Sequence, residues 1–284
     1  MKLRFSFVFM LLFMLILGGC NTNKDNAQPA DNNAEQQQQE ETTTPETEAE
    51  PQENVELTVS AAASLEDAFN EMKPLFEEKH KNIKLLFNFG GSGALQKQII
   101  QGAPVDVFFS AAEDKYDELV DQGIIDKNQG KDMLKNTLVL IVPKNAQEPI
   151  TSFDDLANLG NKKFALGTPE AVPAGKYGQQ TLENLSLWDK MQNSIVFTKD
   201  VRQVLTYVET GDVAAGLVYK TDAAVSDKVE IVAEADANNH DPIVYPVGII
   251  KATKHMEQAE LFYQYLQESE ATDILVKYGF TVLD

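Results

Sequence analysis

NFGGSGAL, residues 88–95, follows the apolar run Ile83–Phe89 and leads into a polar–apolar pattern of helical period, so it reads as strand end, glycine turn and helix start. A serine raised on such a turn can be a nucleophile, a helix cap, or a donor to an anion at a helix N-terminus. Ser92 therefore leaves three roles open. The same junction recurs. In AAASLEDAF (61–69) a strand ends in small residues and Ser64 stands three before Asp67, a capping-box-like start that could equally aim amides and a hydroxyl at one anion oxygen. GTPEAVPAGKYGQQTL (167–182) places Pro173 in a first helical turn, with Ala174 and Gly175 offering unobstructed amides. TKDVRQVLTYVETG (198–211) offers Asp200 as a cap and Gly211 as a stop, and Arg202 in its first turn is either an anion ligand or an ordinary ion-paired side chain. AAGLVYKTDA (214–223) ends a strand on Tyr219, whose phenol can pack in the core or donate into a cleft.

Working outward, strand candidates alternate with helical patterns: Leu57–Ala61, Ile83–Phe89, Val105–Ser110, Leu138–Val142, Phe164–Gly167, Ile195–Thr198, Ala214–Tyr219, Val229–Val232 and Ile243–Ile250. This order predicts an α/β fold with mainly parallel strands. Residues Leu65, Ala68, Phe69, Met72, Leu75 and Phe76 form one apolar stripe of a helix that Pro74 is expected to kink. No tandem repeat, heptad array or second long apolar span interrupts the body.

The chain opens with Lys2 and Arg4, an uncharged run Phe5–Leu17, then Leu17-Gly18-Gly19-Cys20, which resembles a bacterial lipobox. Residues 1–19 are expected to be a lipoprotein signal peptide, with cleavage before Cys20, the lipid-attachment residue. Cys20 is the sole cysteine, so no disulfide framework exists. Residues 20–54 are expected to form a disordered acidic linker, being nearly devoid of large apolar residues. Such a coil reaches about 30 Å. The signal contributes +2 and the linker −8 to the total of −20, leaving −14 on residues 55–284. That charge argues against nucleic acid and against a basic membrane-binding face, and any anion site must rely on local dipoles.

Taken together, AAASL, GAPVDVF, VPAG-x-Y and the closing YGF, in that order and across essentially the whole body, resemble the molybdate-binding proteins of bacterial ABC importers, within the type II periplasmic-binding-protein fold. The resemblance implies two α/β lobes, 55–140 with 245–284 and 141–244, joined by two crossover segments, with the oxyanion in the cleft. Carried over residue by residue, it implies ligand contacts from Ser64, Ser92, Ala174, Val201 through its amide, and Tyr219 through its hydroxyl. Relatives often carry a run of serines where this chain has Gly91-Ser92-Gly93. The family implies a non-enzymatic, monomeric, extracytoplasmic receptor that presents molybdate, or tungstate, to a membrane permease. It implies no cofactor and no side-chain metal ligand, molybdenum being held through its oxo groups.

Three alternatives stand beside it. One is a receptor for sulfate or another tetrahedral oxyanion. Another is an extracytoplasmic sensor that passes the signal to a membrane partner. The third is a secreted serine hydrolase, since Gly90-x-Ser92-x-Ala94 is one residue short of a nucleophile elbow. A hydrolase needs a histidine, and His80, His240 and His255 all sit among polar neighbours, where they read as solvated surface residues.

Overall fold

Apolar runs that end in small residues become strands feeding directly into helices. In the computed structural model, which describes residues 53–147 and 150–283, the first half runs β1 (Val55–Ala62), a 3-10 turn (Ala63–Leu65), α1 (Glu66–Lys79), β2 (Ile83–Gly90), α2 (Ser92–Ile100), β3 (Val107–Phe109), α3 (Glu113–Asp121) and β4 (Ile125–Lys135). The second half runs β5 (Leu138–Pro143), β6 (Phe164–Gly167), α4 (Pro173–Asn184), α5 (Trp188–Met191), β7 (Ile195–Thr198), α6 (Val201–Glu209), β8 (Ala215–Tyr219), α7 (Lys220–Ala224) and β9 (Val229–Glu234). β10 (Val244–Ile250), α8 (Met256–Tyr265), α9 (Ser269–Lys277) and β11 (Thr281–Val282) complete it. α1 continues through Pro74 as one helical segment. The expected leader 1–19, Cys20 and most of the linker 20–54 lie outside the described residues. Among the described residues, no helix is long and apolar enough to cross a membrane.

The strands form two sheets, ordered β11-β4-β10-β3-β1-β2 and β7-β6-β8-β5-β9, within one compact unit. Each sheet is covered on both faces. In β3, Phe109 meets Phe69 of α1 at a centroid distance of 5.7 Å, and Phe69 in turn meets Phe262 of α8. Its neighbour Phe108 points the other way, into a cluster with Leu95 and Ile99 of α2 and Leu119 of α3. That alternation is the two-residue period of a strand covered by helices on both sides. In the second sheet, α4 packs on Leu166 and Leu217, whereas α6 sets Val204 and Val208 against Gly216. These two layered bodies correspond to the two α/β lobes that the resemblance implies.

The expectation of mainly parallel strands is corrected. Of the nine strand pairings among the described residues, four are parallel and five antiparallel. The reason lies in the crossovers: β5 enters its sheet from the first lobe and β10 returns from the second, so each runs against the neighbours it joins. The sheets change between Lys135 and Leu138, and again between Glu234 and Val244. A boundary at 140/141 therefore falls inside β5, all of which lies in the second sheet. The two crossovers touch, Asn136 N donating to Ile243 O at 3.4 Å, and the first is also tied to α7, Lys220 N donating to Thr137 O at 2.8 Å. β4, absent from the sequence reading, exists because β10 pairs with it from Val244↔Lys135 to Ile250↔Ile125.

Candidate functional site

In the first lobe, β1 ends in Ala61-Ala62 and the chain tightens into the 3-10 turn that carries Ser64, buried at the start of α1. Its Oγ lies 2.9 Å from Tyr245 Oη, which also accepts from Asn136 Nδ2 at 3.1 Å. Ser64 is not acting as a side-chain cap of α1. Ser92 is the first residue of α2, fully buried, and its Oγ accepts from Ala111 N at 2.9 Å. Accepting there leaves the serine proton free to donate.

In the second lobe, Ala174 is the second residue of α4 and Val201 the first of α6, both buried. Asp200 caps α6 by accepting from Gln203 N at 2.8 Å, two residues beyond the Val201 amide. The amides of Ser92, Ala174 and Val201 donate to no acceptor among the described residues. Tyr219 ends β8, and no residue among those described lies at hydrogen-bonding geometry to its buried hydroxyl. Buried donors without partners are uncommon, because each costs about 1–3 kcal/mol. Burial pushes the Tyr219 phenol well above its ordinary pKa, so it remains a donor at neutral pH.

Contacts between the lobes bring these positions together. Gly93 N donates to Ala171 O at 3.0 Å, just ahead of α4. A Cβ on Gly91 would lie 2.7 Å from Ala171 O and 3.0 Å from Lys199 O, so only glycine lets the Ser92 turn seat against both helix tips. Tyr177 Oη of α4 donates to Ala111 O at 3.5 Å, beside the residue whose amide holds Ser92. On the Ser64 side, the Tyr219 and Tyr245 rings stand 5.8 Å apart, and Arg202 Nε reaches Ala63 O at 3.4 Å.

Arg202 is engaged on two sides by carboxylates. It ion-pairs with Asp67 of α1 across the lobes and with Asp222 of its own lobe, Nε to Oδ1 at 3.3 Å. Burial raises Asp222 to about 6 against the opposing pull of Arg202. The positive ends of α2, α4 and α6, each worth roughly half a charge, are thus the electropositive groups beside the expected donors. Among the described residues no cluster of His, Cys, Asp or Glu is arranged to hold a metal.

The three histidines are half-buried rather than fully solvated, correcting that expectation. His80 stacks on Phe76 at 4.6 Å and His240 lies 5.9 Å from Tyr177. None hydrogen-bonds Ser92 among the described residues, so the serine has no general base beside it. Sequence reasoning does not single out Tyr245, Asn136 or Asp222, and it reads Asp67 as part of a capping-box-like start rather than as a partner of Arg202. Only Tyr245 carried a signal there, as a phenol in the apolar run Ile243–Ile250 that needs a buried partner.

Comparison with known proteins agrees with this architecture. Residues 57–281 match the family model of the bacterial extracellular solute-binding proteins. The chain is 50% identical to a Bacillus subtilis protein described as "Putative ABC transporter substrate-binding lipoprotein YvgL", covering 97% of this chain and 96% of that one. It is 36% identical to the Haemophilus influenzae molybdate-binding protein ModA over 80% of this chain and 91% of the relative. The solved periplasmic molybdate-binding protein of Azotobacter vinelandii superposes with a TM-score of 0.71 at 27% identity, covering 80% of this chain and all of that one. These relatives are solute-binding proteins, not enzymes, and the chain belongs to the bacterial extracellular solute-binding proteins, within the ModA-like family of ABC transporter substrate-binding proteins.

Proposed function

We propose that this solute-binding protein takes molybdate, and tungstate with it, between its lobes and presents the ion to the membrane permease of an ABC importer, held at the outer face of the cell membrane by a lipid on Cys20. The observation that carries the reading is the set of buried donors without acceptors among the described residues: the amides of Ser92, Ala174 and Val201 and the hydroxyl of Tyr219. A fully deprotonated tetrahedral dianion offers only acceptors, so it complements such a set. Drawing donors from both lobes couples binding to lobe closure. Arg202 is occupied by Asp67 and Asp222, leaving neutral dipoles as the counter-charge within an acidic body.

Sulfate has the same charge and shape, so rejecting it is a matter of cavity size. Titration calorimetry with molybdate, tungstate, sulfate and phosphate tests the reading. Tight binding of the first two and weak binding of the others is expected. Sulfate binding as tightly as molybdate would reassign the protein to a general oxyanion receptor.

A further inference from the structure

Tyr245 lies outside the five expected contact positions, yet it is fully buried and its hydroxyl sits 2.9 Å from Ser64 Oγ. Its surroundings constrain the protons. Asn136 Nδ2 donates both to Tyr245 Oη, at 3.1 Å, and to Thr221 Oγ1, at 2.9 Å, while Asn136 Oδ1 accepts from Thr137 N at 2.9 Å. The Asn136 amide orientation is therefore set by three partners. Tyr245 Oη consequently accepts from Asn136, and a hydroxyl that accepts becomes a better donor. Its own proton then remains to be placed, and Ser64 Oγ lies within hydrogen-bond reach of it. Two hydroxyl protons share one hydrogen bond between Ser64 and Tyr245, so one proton is left over, and it is the serine's when the phenol donates.

We infer that Tyr245 is a positioning and specificity residue for the oxyanion: by donating to Ser64 Oγ, it leaves that serine able to donate to the ligand but poorly able to accept from it. The inference rests on the oxyanion reading above. A ligand carrying its own O–H, such as hydrogen phosphate, then meets a serine whose lone pair is already engaged. Burial holds the Tyr245 phenol well above its ordinary pKa, so the arrangement persists at neutral pH. Because Asn136 lies in the crossover between the sheets, the same chain of bonds ties the Ser64 hydroxyl to the segment about which the lobes join.

The test is Tyr245→Phe in the full chain, titrated with molybdate, sulfate and phosphate at several pH values between 6 and 8, alone and combined with Ser64→Ala. The expected result is a roughly tenfold loss of molybdate affinity, the scale of one hydrogen bond to a charged group. The molybdate-to-phosphate affinity ratio should narrow, and the substitution should have almost no further effect once Ser64→Ala is present. An equal loss in both backgrounds, or an unchanged ratio, would make Tyr245 a packing residue and overturn the inference alone. If the wild type binds none of the three oxyanions, both the inference and the functional reading fall. Should Tyr245→Phe not fold, Asn136→Ala removes the bond that orients the phenol and must narrow the same ratio for the inference to survive.

Discussion

The two serine turns of the first lobe start from the same local recipe, and the molecule holds them in opposite ways. The Ser64 turn is held by polar groups: Tyr245 and Asn136 on its own side, and Arg202 reaching across to Ala63 O and Asp67. The Ser92 turn is held by close fit, with Gly91 and Gly93 seated against the backbone of Ala171 and Lys199. One seam between the lobes should answer to protons and salt. The other should answer to volume.

The largest effect expected on the polar side is a pH dependence through Asp222. Its pKa is raised from 3.8 to about 6 in the folded protein, so the unfolded chain releases this proton first. Its contribution to stability is complete below about pH 4 and is lost as pH rises toward 6, amounting to at most about 3 kcal/mol. Denaturant unfolding of wild type and Asp222→Asn between pH 4 and 7 should show the difference between them changing across that window. A constant difference would remove proton linkage from this seam.

On the steric side, Gly91→Val places a side chain against backbone atoms that cannot step aside. A cost to the closed form of about 1–3 kcal/mol is expected, roughly 5- to 150-fold in molybdate affinity. The ligand-free protein should unfold near the wild-type midpoint. Matched affinity would show that the lobes close without this contact.

The serines themselves sharpen the contrast. Ser64→Ala and Ser92→Ala should each weaken oxyanion binding by about 1–3 kcal/mol. Both should also lower the stability of the free protein, Ser92→Ala because the buried Ala111 amide loses its acceptor, and Ser64→Ala because the buried Tyr245 hydroxyl loses its serine partner while keeping its bond from Asn136. Calorimetry and thermal melts on the two variants separate these outcomes. The smallest effect belongs to Asp67→Asn. With the Asp67 side chain 41% exposed, its bridge to Arg202 is largely screened and should contribute less than about 1 kcal/mol. Its effect should fade at high salt, and a large salt-independent loss would mean that Asp67 does more than pair with Arg202.

Much of the architecture was legible because its rules are local. A strand run ending in small residues and followed by a 3.6-residue pattern marks a strand-to-helix junction within about ten residues, and Ser64, Ser92, Ala174, Val201 and Tyr219 all sit at such junctions in the structure. β4 was not legible. Its residues IDKNQGKDMLK show no alternation, with only Ile125, Met133 and Leu134 buried, and it is a strand because β10 needs a neighbour. Strand direction was misread for a related reason, since a crossover between lobes reverses the strand it delivers.

By itself, then, the sequence determined the α/β alternation, the glycine turn at Ser92, the five junctions and the acidic net charge. All of these depend on residue type and short spacing. The tertiary structure alone decided which partners those junctions meet. Ser64 finds Tyr245 across 181 residues, Arg202 finds Ala63 across 139, and Tyr245 finds Asn136 across 109. Hydrogen bonds and ion pairs depend on distances of a few ångströms, and such separations along the chain carry no information about them until two lobes and two crossovers fold the ends together.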